Sequence, residues 1–167
     1  DHSAKRKQRF VQQCLQEIAT ASGDTDAYIG QYSSEDLHNK VVAAEVAMLL
    51  LKASKAKDAL VLLSNVGDDA DSFGQEQWDD AYISTLMVLG RHNGAQAHRW
   101  LCFENRLSVD HLRAFLKGLP DFEDVEAEDR ARAYVLTYPD VLRALHFCLK
   151  WSDLLTAAQL VKTRADE

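Results

Sequence analysis

Apolar side chains recur at intervals of three and four positions along most of this chain, which is the spacing of one face of an α-helix. The pattern predicts a first helix over residues 4–21, which ends at Ser22 and Gly23. Residues 41–51 contain Glu45 as their only polar side chain. Because such a helix has no broad polar side to turn towards water, we expect it at the centre of the structure.

Two stretches of the chain repeat one arrangement, namely an apolar helix, a break, and a second helix that opens on alanine. They are residues 49–63 and 86–101, and Ala59 and Ala95 occupy equivalent places 36 positions apart. That interval is close to the roughly 34-residue period of tetratricopeptide repeats. Small side chains suit these places, because two antiparallel helices joined by a tight turn approach each other most closely beside it. A weaker third copy covers residues 147–158.

The repeat and the composition together predict an all-α fold, a tetratricopeptide-like α-solenoid of antiparallel helix pairs with about ten helices. Two prolines and seven glycines leave few turns of the kind that bound strands, so we expect no sheet. Chance similarity among alanine-rich helices is the alternative explanation of the repeat. Capping residues predict two helix starts, one at Asp121 or Asp124 and the last at Ser152.

The length of 167 residues fits a single helical-repeat domain over residues 1–167. The first residue is aspartate and not methionine, and we therefore expect the chain to be the carboxy-terminal part of a longer protein. Its three cysteines are widely spaced, so a disulfide framework is not expected. This cysteine usage favours a cytoplasmic location.

A net charge of −7 and an isoelectric point near 5.3 argue against nucleic-acid binding, which needs clustered lysine and arginine. The one basic cluster contains Lys5, Arg6, Lys7 and Arg9, and we interpret it as a solvated helix face. The longest apolar run, residues 41–51, is too short to span a bilayer, and no signal-peptide pattern opens the chain. We therefore expect neither a nucleic-acid nor a membrane partner.

Two spacings resemble metal sites. Residues 69–74 resemble part of a calcium-binding EF-hand loop, with Asp80 at its twelfth place. Phe73 stands where an oxygen ligand is required, so a solvated turn is the better interpretation. His98 and Cys102 lie four positions apart, a spacing that two metal ligands can share, but nothing nearby in the sequence completes the set. We therefore expect no bound metal.

The acidic run over residues 123–129 could be a docking patch or could supply acid and base groups. At the start of a helix, however, acidic side chains are also what the positive end of the helix dipole favours. No glycine-rich phosphate loop, nucleophilic serine motif or Cys-x-x-Cys pair occurs, so we expect no enzyme activity and no cofactor. The alternative is a metal-dependent hydrolase with a site around His98, Glu104 and His111.

An aromatic and arginine set is the best candidate for a contact surface. Its members are Trp78, Tyr82, Arg99 and Trp100. These residue types often dominate binding surfaces, although in a helical bundle they are as often part of the core. They favour a protein-interaction scaffold that offers a concave helical surface to a peptide or helix. The partner would be another protein, or the amino-terminal part of the same longer protein.

The Leu-Pro-Asp-Phe block over residues 119–122 and the pair Arg99 and Trp100 are the specific parts of a wider likeness. Over nearly its whole length, the chain resembles the carboxy-terminal region of an uncharacterised bacterial family, a domain of unknown function. The resemblance implies a tetratricopeptide-like, right-handed helical array at the end of a longer cytoplasmic protein, and it implies no catalytic residue. The chain departs from that family at residues 55–57, where relatives have a glycine-containing turn.

Overall fold

The computed structural model describes residues 2–66 and 73–164. Those residues form ten α-helices and one short 3₁₀ helix, and no β-strand occurs among them, which confirms the predicted all-α fold. None of the described helices combines the length and the apolar character needed to cross a bilayer. All three cysteines are free thiols.

The chain divides into two compact units, Asp1–His92 and Asn93–Glu167. The helices of the amino-terminal unit are α1 (His2–Ser22), α2 (Thr25–Ile29), the 3₁₀ helix (Asp36–His38), α3 (Lys40–Lys52), α4 (Ala56–Ser64) and α5 (Gln75–Val88). Helix α6 (His92–Arg106) begins at the boundary between the units. The remaining helices are α7 (Val109–Lys117), α8 (Glu123–Leu136), α9 (Val141–Trp151) and α10 (Leu154–Arg164).

Helix α3 is the centre of the amino-terminal unit, as the apolar run over residues 41–51 predicts. It packs against α4 and α5. Its contact with α5 is so close that a Cβ atom added to Gly74 would lie 2.6 Å from Cγ2 of Val41. Glu45 lies on the exposed side of α3, where its carboxylate accepts a hydrogen bond from the Tyr28 hydroxyl. The buried residues of α3 are Ala43, Ala44, Val46, Ala47 and Leu50.

The two turns of the sequence repeat have the same backbone hydrogen bonds. In each turn one residue adopts a left-handed conformation, and the N–H of the next residue donates to the carbonyl oxygen five positions earlier, a Schellman motif. The left-handed residues are Ser54 (φ 61°) and Gly90 (φ 70°), and the hydrogen bonds run from Lys55 to Leu50 and from Arg91 to Leu86, each 2.8 Å long. Each residue of the first turn lies 36 positions before its equivalent in the second turn. The repeat is therefore present in the backbone as well as in the sequence.

The same motif follows α1 and α9. The left-handed residues there are Gly23 (φ 70°) and Ser152 (φ 63°), and the hydrogen bonds run from Asp24 to Ala19 and from Asp153 to Cys148, each 2.9 Å long. Ala59 and Ala95, the small residues that the repeat marks, are both completely buried. A small, buried side chain at both places agrees with the close approach of two helices beside a turn.

Two helix starts differ from the predicted ones. Ser152 ends α9, and the cap of α10 is Asp153, whose carboxylate accepts a hydrogen bond from the N–H of Thr156 (3.0 Å). The cap of α8 is Phe122, which has a φ of 74° and makes no capping hydrogen bond, so neither of the predicted aspartates has that role. A left-handed backbone at these turns decides the boundary in both cases, and capping preferences alone do not reveal it.

The core of the carboxy-terminal unit is built around Phe103 on α6, which is completely buried. Its ring lies 5.1 Å from the ring of Trp100, 5.8 Å from that of Tyr134 on α8 and 5.6 Å from that of Phe147 on α9. The Tyr134 hydroxyl donates to the backbone carbonyl of Glu104 (3.0 Å). These contacts hold α6, α8 and α9 together.

Candidate binding groove

The predicted contact residues Trp78 and Tyr82 lie on α5, in the amino-terminal unit. Their rings are stacked, with centroids 5.0 Å apart and planes 9° apart. The indole N–H of Trp78 donates to the carbonyl oxygen of Leu63 on α4 (3.2 Å). Both side chains are half-buried and pack against the core of that unit. They therefore have a structural role and are only partly accessible.

Arg99 and Trp100 lie on α6, in the carboxy-terminal unit, and both are half-buried. The Arg99 guanidinium donates to the side-chain oxygen of Gln96 (2.6 Å), and the Gln96 amide donates to the carbonyl oxygen of Phe115 on α7 (2.9 Å). The Trp100 indole N–H donates to the Glu104 carboxylate (2.6 Å). Both side chains are therefore held in place on the surface of α6.

The residues of the alternative hydrolase site are His98, Glu104 and His111. In the part of the chain that the structure describes, their side chains do not form a group that could hold one metal ion. The Glu104 carboxylate accepts the hydrogen bond from Trp100, and a ring nitrogen of the buried His111 lies 2.7 Å from the Ser108 hydroxyl. The structure thus does not bring these three residues together as a metal site.

The EF-hand-like segment lies mostly outside the described residues, which resume at Phe73. His98 and Cys102, the other pair with the spacing of metal ligands, both lie on α6. The Cys102 side chain is buried and the His98 side chain is half-buried.

A groove of about 700 Å³ lies between α7 and α8 in the carboxy-terminal unit. Leu119 in the loop after α7 is half-buried, and together with the exposed edge of Phe115 on α7, a core residue that is 8 % exposed, it forms an apolar wall. Helix α8 supplies the opposite side with Glu123, Glu126, Ala127, Asp129 and Arg130. The volume is within the usual range for ligand-binding clefts. We call this feature the α7–α8 groove.

Helical spacing explains why α8 turns acidic side chains into the groove. Glu123, Glu126 and Arg130 are separated by three and four positions, so they share one face of the helix. Ala127 and Ala131 are buried, which brings the backbone of α8 against the core beneath that face. The charged groups are consequently held at the edge of an apolar surface.

The described residues give the groove three carboxylates and one guanidinium. Arg130 lies over the ring of Trp100, with its guanidinium carbon 3.9 Å from the ring centroid, a cation–π contact. Asp129 forms an ion pair with Arg132 (3.1 Å). Glu123 and Glu126 are both exposed. The groove therefore combines an apolar wall, a half-buried tryptophan at its edge and a negative potential.

Arg132 connects α8 to the turn between α9 and α10. Its guanidinium donates to the carboxylates of Glu128 (2.8 Å) and Asp153 (3.0 Å), and the Trp151 indole N–H also donates to Glu128 (3.0 Å). Burial alone would raise the pKa of Asp153, but hydrogen bonds from Thr156 and the charge of Arg132 hold it below its ordinary value. This network keeps α8 in position beside the groove.

The sequence contains signals for only part of this site. The acidic run and Trp100 are both conspicuous in the sequence, and the helical spacing of Glu123, Glu126 and Arg130 could have been noted. The contact between Trp100 and Arg130 joins residues thirty positions apart, and no local pattern predicts it. Packing of α7 against α8 creates the groove.

Comparisons with known proteins show the family of the chain and no specific function. Neither the curated proteins nor the solved structures yield a match to the chain. A family model does match, over residues 1–167, and its description is a family of unknown function, DUF6880. This match confirms the resemblance to a domain-of-unknown-function family, and the chain therefore belongs to DUF6880.

Proposed function

We propose that this chain is a protein-interaction domain that binds a peptide or a helix in the α7–α8 groove. The observation that carries the proposal is the apolar wall of Phe115 and Leu119 facing an acidic helix side. Amphipathic helices bind proteins by placing an apolar face in such a groove. Trp100 at the edge is held by the Glu104 carboxylate, so it is already positioned for a partner.

The repeated helix turns support a wider form of this proposal. Four turns with the same Schellman hydrogen bonds are what a chain of stacked helix pairs would use. On this basis we extend the proposal to a tetratricopeptide-like, right-handed solenoid. Its partner contacts are Arg99 and Trp100 for the occupant of the groove, and Trp78 and Tyr82 in the amino-terminal unit for a different partner. Three free cysteines favour a cytoplasmic location, which we include in the proposal. Small-angle scattering from the purified chain tests the shape, because a closed globular bundle would exclude it.

A designed helical peptide tests the groove directly. The probe has about 18 residues, or about five helical turns, with leucine on one face and lysine on the other. Its fluorescence anisotropy is measured against the wild-type chain, and a second peptide with glutamate in place of lysine is the control. We expect the lysine peptide to bind with a Kd on the order of micromolar and the glutamate peptide to bind much more weakly.

Matched variants separate the groove from the general negative charge of the chain. Replacing Glu123 and Glu126 by lysine reverses the groove charges. Replacing Asp121 and Asp124 by lysine makes the same charge change beside the groove, since neither aspartate lines it. We expect the first pair to weaken binding by about tenfold or more and the second by no more than about threefold. Equal losses in both would contradict a site in the groove.

A further inference from the structure

Helix α1 has an apolar face that the described residues leave largely exposed. Phe10 is 67 % exposed and Ile18 is 63 % exposed, and Val11 and Leu15 lie on the same side of the helix. Helix α1 contacts α2 through a different side, on which Ala19 is buried and the Gln12 amide donates to the carbonyl oxygen of Gln31 (2.9 Å). No other described residue therefore covers the greater part of this apolar face.

The same helix carries the basic cluster of the sequence. Lys5, Arg6, Lys7 and Arg9 lie in its amino-terminal half, and Glu17 is the only acidic residue of α1. Lys7 precedes Phe10 and Val11 by three and four positions, so it shares their face, and Arg6 precedes Phe10 by four positions and lies beside it. Lys5 and Arg9 lie on the opposite side of the helix. Helix α1 thus offers positive charge and apolar side chains on one surface.

The α7–α8 groove has the complementary character. Its apolar wall, Phe115 and Leu119, stands beside the exposed carboxylates of Glu123 and Glu126. We infer that α1 of one molecule docks in the α7–α8 groove of a second copy of this chain, an inference that rests on the proposed function of the groove. Phe10 contacts the apolar wall, and Lys7 and Arg6 face the carboxylates.

A second copy fits α1 better than a lipid surface does. A helix that lies in a membrane interface buries its apolar face among acyl chains and keeps its charges on the opposite side. Lys7 interrupts that face, and an ammonium group is costly to bury among acyl chains. In the groove, a carboxylate stands next to the apolar wall, so both Lys7 and Phe10 find a partner.

The contact joins two different surfaces, so it is heterologous. Each docked molecule still offers its own groove or its own α1, and association continues into rings or open chains.

This geometry predicts that two variants with different defects complement each other. One variant carries Arg6→Gln, Lys7→Gln and Phe10→Ser, all at exposed positions of α1. The other carries Glu123→Lys and Glu126→Lys.

Sedimentation velocity on the full chain tests the inference, with one partner fluorescently labelled in mixtures. We expect concentration-dependent association of the wild type, in the range of about 10 to 100 μM. Each variant alone should remain monomeric, and an equimolar mixture of the two should form a dimer and nothing larger. The Asp121→Lys, Asp124→Lys control should associate like the wild type. Association that survives in the groove variant alone would overturn the inference.

A membrane role for α1 is the competing outcome. Vesicles of phosphatidylcholine with and without phosphatidylglycerol are sedimented with the wild type and with the α1 variant. A monomeric wild type whose vesicle binding depends on Arg6, Lys7 and Phe10 would overturn docking to a second copy. The lysine peptide separates the two proposals, because a chain that binds the peptide but stays monomeric leaves the groove function intact. A chain that neither binds the peptide nor associates refutes both.

Discussion

At the scale of single residues, Trp100 and Arg130 connect the core of the carboxy-terminal unit to its surface. The indole packs 5.2 Å from the ring of Phe115, and the Arg130 guanidinium lies over it, 3.9 Å from the ring centroid. Among the described side chains that line the groove, Arg130 is also the one cation. The same residue therefore stabilises the tryptophan and reduces the negative charge of the site.

Replacing Arg130 by alanine should strengthen binding of the lysine peptide. Removal of a like charge a few ångströms from the bound cations is worth about 1 kcal/mol in a solvated site, or about fivefold in Kd. The free energy of unfolding should fall by about 0.5–1 kcal/mol, because the cation–π contact is lost. Anisotropy titration and chemical denaturation measure the two effects.

Arg113 provides the control for that change. Its guanidinium lies 5.4 Å from the ring centroid of Trp151, and it does not line the groove. Arg113→Ala therefore makes the same change in net charge and also removes a cation–π contact. Equal gains in peptide affinity from both variants would mean that the total charge of the chain, and not Arg130, sets the affinity.

The pKa of Asp153 predicts a pH-dependent stability. Because the folded-state pKa lies below the ordinary value of about 4, the carboxylate contributes its full stability above that value. The contribution is lost as the pH falls through the folded-state pKa. The contact involves Arg132, which is 43 % exposed, so we expect a contribution at the low end of the range, about 1 kcal/mol.

Denaturation of the wild type and Asp153→Asn from neutral pH down to about pH 2 measures this contribution. Asparagine keeps the ability to cap α10 but loses the charge opposite Arg132. The difference in unfolding free energy should be about 1 kcal/mol near neutrality and should approach zero in acid. A difference that does not change with pH would show that the Asp153 charge adds nothing.

At the scale of helices and turns, the 36-residue repeat is the feature that the sequence predicts best. It predicts that Ala59 and Ala95 lie where two helices approach closely, and both residues are completely buried. The departure at residues 55–57 does not change the turn, because Ser54 adopts the left-handed conformation that Gly90 has in the second copy. A serine can take this conformation, although it does so at a cost that glycine avoids.

Reciprocal substitutions should expose that cost. Ser54→Gly should raise the unfolding free energy by up to about 1 kcal/mol, and Gly90→Ala should lower it by about 1 kcal/mol. No atom lies within 4 Å of a Cβ added at Gly90, so its cost is conformational and not steric. Urea denaturation measures both. An unchanged stability in Gly90→Ala would contradict the view that a left-handed residue is needed at this turn.

The groove was less predictable than the helices. The acidic run over residues 123–129 equally suits a helix start, and the first turn of α8 does carry acidic residues. Whether Glu123 and Glu126 also face an apolar wall depends on how α7 packs against α8, and no spacing within α8 contains that information. The left-handed Phe122, which ends the connecting loop, was equally hidden.

At the scale of the whole molecule, two compact units are each built around their own buried residues, α3 in one and Phe103 in the other. The chain has a net charge of −7, so any cationic ligand is attracted to it to some extent. Attraction of a cationic ligand to the chain therefore does not by itself show that the ligand occupies the groove. The proposed function requires that the partner bind at the α7–α8 groove and not simply to any acidic surface.

The three tryptophans make that position measurable, because each contributes one indole N–H signal to a ¹H–¹⁵N spectrum. Trp100 lies at the edge of the groove, whereas Trp78 belongs to the amino-terminal unit and Trp151 to the end of α9. We therefore expect titration with the lysine peptide to shift the Trp100 signal and leave those of Trp78 and Trp151 in place. A shift at Trp78 or Trp151 with no change at Trp100 would contradict binding in the groove.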